Sequence, residues 1–273
     1  MQIGNRDFNI KHKTYIMGIL NITPDSFSDG GQWNNMDRAL THAEEMIQDG
    51  ADIIDIGGES TRPGHIQITE EEEIARVTPV IEALHSRFDI PISIDTYKSK
   101  VAQAAADSGA HLINDVWGCK YDKKMARVMA KTGTACCLMH NKNKAEYNHF
   151  MEDVLNETME CVRLAREAGV PDDKIIVDPG IGFGKTYEGN LEVINRLELF
   201  HELGYPVLLG TSRKSVIGKT LDLPVAERLE GTLATTVIGI MKGCSFVRVH
   251  DVKENKRIIQ MTEAILGRVT TDG

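Results

Sequence analysis

Eight places in this 273-residue chain join an apolar run to a polar or charged tip. The tips read Asn21-Ile22-Thr23-Pro24-Asp25, Gly57-Gly58-Glu59-Ser60-Thr61-Arg62-Pro63-Gly64, Asp95, Asn114-Asp115, His140-Asn141, Asp178-Pro179-Gly180, Thr211-Ser212-Arg213-Lys214-Ser215 and Arg248-Val249-His250-Asp251. Asp95, Asn114 and Asp178 can accept N–H groups from a flat ring with an amino-pyrimidinone edge. Arg62, Lys214, Arg248 and His250 can hold a polyphosphate, each charge-assisted hydrogen bond contributing roughly 1.5–3 kcal/mol. An acidic floor beneath a basic rim therefore suits a neutral, donor-rich ring with an anionic tail.

Plainer roles compete with these. An Asp at a strand end can simply cap the next helix. That alternative stays open for Asp95 and is the better account of Asp115, but Pro-Gly follows Asp178 where a helix start would be needed. Arg213-Lys214 can be read as a solvated surface pair. Arg248 and His250 alternate with Val247 and Val249, so both face one side of a strand. An arginine on a buried face needs an anion or carboxylate partner.

Two kinds of element must carry these tips. The apolar runs are Tyr15–Leu20, Ile53–Ile56, Ile92–Ile94, Leu112–Ile113, Ala135–Met139, Ile175–Val177, Val207–Leu209 and Phe246–Val249. They are apolar at nearly every position, as strands of a parallel sheet buried on both faces are. Helical patterns fill the gaps at 36–49, 97–107, 122–132, 146–168, 187–203, 225–242 and 251–266. A further helix follows Thr69 and Glu72, which resemble a capping box, and Pro79 should kink it. Gly50, Gly109, Gly133, Gly169, Gly204, Gly243 and Gly267 punctuate helix ends. Strand–helix alternation repeated eight times predicts a (β/α)8 barrel, one domain with residues 1–13 as a short arm before it; an open doubly wound sheet is the alternative. In a barrel the eight tips converge on one mouth, where active sites of that fold lie.

Composition narrows the partners. The formal net charge is −9, so the chain has no general attraction for nucleic acid or anionic lipid. An anionic ligand must be met by a local cationic cluster. The cysteines, Cys119, Cys136, Cys137, Cys161 and Cys244, form no C-x-x-C pair and read as reduced thiols. There is neither a signal-peptide pattern nor a membrane-length apolar run, and a cytoplasmic location is expected.

MGILNITPDSFSDGG (17–31) and DIIDIGGESTRPG (52–64) resemble the two signature segments of dihydropteroate synthases. SIDTYK (93–98), INDVWG (113–118), DPGIGFGK (178–185), GTSRKSVIG (210–218) and VRVHDV (247–252) resemble the remaining blocks, in family order. The resemblance implies a (β/α)8 barrel, usually a homodimer through helices near the C-terminal end. It implies condensation of 6-hydroxymethyl-7,8-dihydropterin diphosphate with p-aminobenzoate, and sulfonamide inhibitors in the p-aminobenzoate pocket. Asp95, Asn114 and Asp178 would hold the pterin ring, with Lys214 at its oxo/N5 edge and Arg248 along it. Asn21, Arg62, Arg248 and His250 would bind the diphosphate, with Mg2+ near Asn21. Loops holding Thr23, Asp25, Phe27, Ser28, Asp29, Thr61, Arg62 and Pro63 would close over the site. With Phe183, Lys214 and Ser215 they would form the p-aminobenzoate pocket. Lys214, Arg248, Asp95 and Asp178 would carry the catalysis.

The chain departs from the family pattern after its fifth strand. Met139-His140-Asn141-Lys142-Asn143-Lys144 leads into Ala145-Glu146-Tyr147-Asn148 without the family's Gly and Pro, which leaves the contribution of that wall open. Pterin-binding methyltransferase domains would share the acidic floor but need neither the p-aminobenzoate loops nor the diphosphate cluster. A non-catalytic pterin binder would have lost rim cations, and none is missing. Gly180-x-Gly182-x-Gly184 lacks the spacing of a dinucleotide-binding turn and follows the sixth strand instead of the first.

Overall fold

The computed structural model describes residues 1–22, 32–59 and 67–268. It opens with a small antiparallel ribbon, β1 (Gln2–Ile3) and β2 (Arg6–Asp7). Eight strands follow: β3 (Tyr15–Asn21), β4 (Ile53–Gly57), β5 (Ile92–Asp95), β6 (Leu112–Asp115), β7 (Ala135–Met139), β8 (Ile175–Asp178), β9 (Leu208–Leu209) and β10 (Phe246–Val249). Each pairs in parallel with its sequence neighbour, and β10 returns to β3. A bridge from Val177 to Val207 joins β8 to the approach to β9, so the sheet closes into the expected (β/α)8 barrel. Strands β4 to β8 are buried at every position, which is why their sequences do not alternate.

Nine helices among the described residues surround the strands: α1 (Gln32–Gln48), α2 (Glu70–Arg87), α3 (Ser99–Asp107), α4 (Met125–Thr132), α5 (Phe150–Glu167), α6 (Tyr187–Asn195), α7 (Ser215–Leu221), α8 (Leu229–Met241) and α9 (Val252–Ile265). Thr69 caps α2 as its sequence suggests, accepting from the Glu72 amide at 3.1 Å, and the helix runs on through Pro79. Besides shifts of a few residues at helix ends, three elements differ from the periodicity. The stretch 187–203 breaks after Asn195 into a 3-10 segment, Leu197–Leu203, and 225–242 begins with a 3-10 turn, Val225–Glu227. Helix α7 has seven residues, two turns, too few to show a repeat.

Two apolar layers result. The larger lies between strands and helices. The smaller fills the barrel with Met17, Ile53, Leu112, Ala135, Cys137, Ile176, Leu208 and Phe246, joined by Ile3 and Phe8. Through Ile3 and Phe8 the segment before β3 therefore plugs the end of the barrel opposite the strand tips, and is more than an arm. Phe8 packs edge-on against Tyr15 with ring centroids 4.7 Å apart. Burying such a side chain contributes roughly 1.5–3 kcal/mol. All five cysteines are free and buried. Among the described residues no helix is long and apolar enough to cross a membrane.

Candidate active site

Parallel register aligns the strand tips. Asn21 lies beside Gly57, Gly57 beside Asp95, Asp95 beside Asn114, and Met139 beside Asp178. Asp95, Asn114 and Asp178 are each nearly inaccessible. Arg248 reaches in from β10: Nε donates to Asp55 Oδ2 at 2.6 Å and Nη2 to Asp95 Oδ2 at 2.7 Å. Asn114 Nδ2 donates to the same Asp55 oxygen at 3.2 Å. Asp178 Oδ1 accepts from the Gly180 amide at 2.7 Å. Lys214 Nζ donates to Ile181 O at 2.6 Å and stands 4.8 Å from the Phe183 ring centroid. Gly210 shows how tightly these groups converge. A Cβ built there would lie 3.7 Å from Asp178 Oδ2, 3.7 Å from Lys214 Nζ and 3.9 Å from Arg248 Cβ. An apolar wall of Tyr97, Val116 and Met139, with Trp117 and Phe183 packed on it, stands alongside.

Burial and charge oppose each other here. Burial raises the Asp95 carboxyl to about 7; Arg248 pulls it down and Asp55 pushes it up. Asp178 is raised by burial against the pull of Lys214. Burial lowers the Lys214 amine to about 8, with Asp178 working the other way. Burial also works against the Arg248 charge, but Asp55 and Asp95 outweigh it and hold the guanidinium protonated. Asp55 Oδ1, Ser93 Oγ and Asp95 Oδ1 are buried without a hydrogen-bond partner among the described residues. Such atoms are few in native proteins and mark places where a ligand or water completes the site. Together these groups form a slot able to accept several N–H donors from a planar ring, with fixed positive charge beside it.

Two of the cations expected at the rim, Arg248 and Lys214, belong to the floor. Arg248 lies within the floor, bridging two carboxylates, and Lys214 points into it. The capping alternative for Asp95 fails, because α3 starts at Ser99, whose amide donates to Asp122 Oδ2 at 2.9 Å. Asp115 caps no helix either. Its oxygens accept from the Trp117 and Cys119 amides at 2.9 and 2.6 Å and shape the loop after β6. The basic pair divides: Arg213 joins Asp251, while Lys214 serves the mouth. His250 Nδ1 lies 3.0 Å from Ser212 Oγ, and Ser215 is exposed at the start of α7. Thr23, Asp25, Phe27, Ser28, Asp29, Thr61, Arg62 and Pro63 lie outside the described residues.

Sequence reasoning missed Asp55 and Ser93. The signal was available: Asp55 is the one charged residue inside the run Ile53–Ile56, and a carboxylate in a strand buried on both faces needs a partner. Among the described residues no cluster of three or more His, Cys, Asp or Glu could hold a metal. Asn21 offers an amide oxygen beside the mouth, 3.3 Å from where a Cβ on Gly57 would stand. One neutral oxygen fits Mg2+ that keeps waters and is held chiefly by a substrate's phosphates.

Residues 17–250 match the family model described as pterin binding enzyme. A curated dihydropteroate synthase from Clostridium beijerinckii is 64% identical over 98% of this chain and 100% of its own length. Among solved structures, a dihydropteroate synthase from Clostridium difficile crystallised in the presence of pteroic acid superposes with a TM-score of 0.93. It is 53% identical, over 95% of this chain and 99% of that one. A Yersinia pestis dihydropteroate synthase in complex with a sulfonamide drug superposes at 0.91, with 40% identity over 98% and 99% of the two chains.

Proposed function

The chain belongs to the pterin-binding enzyme family, within its dihydropteroate synthases, and on that premise we propose how its mouth carries out the reaction. The enzyme joins 6-hydroxymethyl-7,8-dihydropterin diphosphate to p-aminobenzoate, giving 7,8-dihydropteroate and pyrophosphate. One observation carries the assignment of residues: Asp95 Oδ1 is buried and unpartnered beside Asn114, on the carboxyl group that Arg248 holds through its other oxygen. A pterin ring laid there gives its N–H donors to Asp95, Asn114 and Asp178. Lys214 meets the oxo/N5 edge, and Arg248 runs along the ring toward the diphosphate. Asn21, Arg62 and His250 hold the diphosphate. Thr23, Phe27, Ser28, Asp29, Thr61 and Pro63, with Phe183, Lys214 and Ser215, enclose p-aminobenzoate, and sulfonamides occupy that same pocket.

The bond between the pterin methylene and the diphosphate oxygen breaks first, leaving a cation stabilised by the electron-rich reduced ring. Asp95 and Asp178 favour that charge, and Arg248 and His250 favour the charge on the departing pyrophosphate. Asn21, together with the substrate's phosphates, would hold Mg2+, which would supply positive charge for the leaving group. The arylamine nitrogen then attacks the methylene and loses a proton. No strong base is needed, since an arylamine is neutral at pH 7. Mixing the purified protein with both substrates and Mg2+ should release pyrophosphate and form dihydropteroate. Absence of both products would overturn the assignment. The enzyme acts as a single domain and pairs as a homodimer. Ile238 and Met241 on α8, and Met261 and Ile265 on α9, present exposed apolar side chains that support a joint there. Sedimentation at micromolar concentration tests the dimer.

A further inference from the structure

Lys185 ends the glycine-rich turn after β8 without a carboxylate partner among the described residues. Burial lowers its amine to about 7, against the pull of Asp178; in the protonated form its three N–H groups meet three acceptors: His140 Nδ1 at 2.7 Å, Gly180 O at 3.0 Å and Phe183 O at 3.1 Å. An ammonium can only donate, so His140 Nδ1 is the acceptor and its proton sits on Nε2. That nitrogen lies 2.8 Å from Glu157 Oε2 on α5, whose other oxygen accepts from Lys142 Nζ at 2.6 Å. Burial, reinforced by Lys185, pulls the His140 imidazole down to about 2, so it stays neutral between the amine and the Glu157 carboxyl. A chain of hydrogen bonds thus runs from the turn through β7 to a helix.

The turn is also held by shape. Gly180, Gly182 and Gly184 all have positive φ. A Cβ on Gly180 would stand 1.9 Å from His140 O, and one on Gly184 would stand 2.7 Å from Lys142 O. Tyr147 Oη donates to Gly184 O at 2.6 Å. Residues 140–147, where the sequence departs from its family's usual pattern, are therefore the brace of this turn. What the brace supports faces the mouth: the Ile181 carbonyl that receives Lys214 Nζ, and the Phe183 ring beneath that same amine.

We propose that Lys185 is a positioning residue for the arylamine pocket: through His140 and Glu157 it locks the 180–185 turn, and so fixes Phe183 and Lys214. It touches no substrate. Without its ammonium, two carbonyls and an imidazole nitrogen lose their donor, and the turn is free to relax. Displacement of about 1 Å in a positioning group costs up to roughly 100-fold in rate. The proposal rests on p-aminobenzoate lying against Phe183, as put forward above.

Lys185→Met keeps the aliphatic stem and removes the charge. Steady-state pyrophosphate release should show the KM for p-aminobenzoate raised at least tenfold. Binding of the pterin diphosphate, followed by calorimetry, should weaken by a smaller factor than that KM, because Asp95, Asn114 and Arg248 are held by other strands and keep their contacts with Asp55 and with each other. Glu157→Gln, remote from both substrates, should raise the same KM by a smaller factor and add nothing in the Lys185→Met background. Phe183→Ala separates the two levels. An unchanged KM there would show that the arylamine does not lie against Phe183. A raised KM there, with Lys185→Met and Glu157→Gln both at wild-type KM, would overturn the anchor alone. A lowered Tm with unaltered KM in Lys185→Met counts against it too, and if that variant does not fold, Glu157→Gln decides.

Discussion

Replacing Asp55 with Asn should shift the pH dependence of pterin binding toward acid. The Asp95 carboxyl, placed to accept a ring N–H, titrates at about 7 because it is buried; Arg248 lowers it and Asp55 raises it. Only the ionised form offers both oxygens as acceptors, so affinity is full above that midpoint and falls as pH drops through it. The folded value lies above the ordinary 3.8. The linked stability therefore runs the other way, being greatest at low pH and lost as pH rises through about 7. Asp55 Oδ2 and Asp95 Oδ2 accept from Nε and Nη2 of one guanidinium at 2.6 and 2.7 Å. Like charges about 4 Å apart at an effective dielectric constant near 20 repel by roughly 4 kcal/mol, which is a ceiling for this pair. A third of that corresponds to about one pH unit. Titrating 6-hydroxymethylpterin into wild type and Asp55→Asn between about pH 5 and 9 compares the two midpoints directly, since the ligand's own ionisation is common to both. The variant's midpoint should fall by at least about one unit. A midpoint that stays put, or moves toward alkali, would refute the idea that Asp55 tunes Asp95 by charge.

Replacing Lys214 or Arg248 by Ala should lower turnover at least tenfold, about 1.4 kcal/mol of barrier; near-wild-type pyrophosphate release in either would remove that residue from the reaction. Asp115→Ala deprives the Trp117 and Cys119 amides of a carboxylate acceptor. Urea unfolding should show a loss of about 2–4 kcal/mol, at roughly 1.5–3 kcal/mol per hydrogen bond to a charged group and less the relief of a buried charge. Phe8→Ala opens the plug at the barrel's far end, and its cost in the same assay should be about 3–5 kcal/mol. Because the plug and the mouth are at opposite ends, kcat in Phe8→Ala should stay within a factor of two of wild type.

The barrel and most of its floor were legible because they depend on local signals. Buried parallel strands read as unbroken apolar runs, and the residue ending each run is the one the barrel presents at its mouth. Asp95, Asn114 and Asp178 are reached in this way, Arg248 through its alternation with valines inside β10, and Lys214 through the basic tip that follows β9. Pairing depends on distance across the barrel, and no local pattern encodes it. Asp55 and Arg248 are 193 residues apart in sequence yet share a hydrogen bond, so the carboxylate inside β4 passed as part of an apolar run. Asp115 was read rightly as structural but assigned to a helix it does not touch, since the turn it shapes precedes α4 by several residues. Helix α7 and the ribbon at the N-terminus were lost for lack of length. The brace from Glu157 to Lys185 was invisible because it joins β7, α5 and the turn after β8 through side chains alone.

The floor also explains how a chain of net charge −9 can bind a ligand with an anionic tail without a basic surface. Arg248 is neutralised by Asp55 and Asp95 at one edge, while its position along β10 leads out toward His250 at the mouth. The same guanidinium can therefore fix a carboxylate for the ring and present positive charge to the tail. A second carboxylate at Asp55 looks wasteful beside the one proposed to bind the ring, for burying both is costly. Its effect is to keep Arg248 charged and held at two points, so that Asp95 gives one oxygen to the guanidinium and leaves Oδ1 unpartnered. The unpaired oxygen is thus a consequence of the paired ones. Desolvation is paid when the barrel folds, and a ring donor arriving later meets an acceptor that is already dry and already oriented.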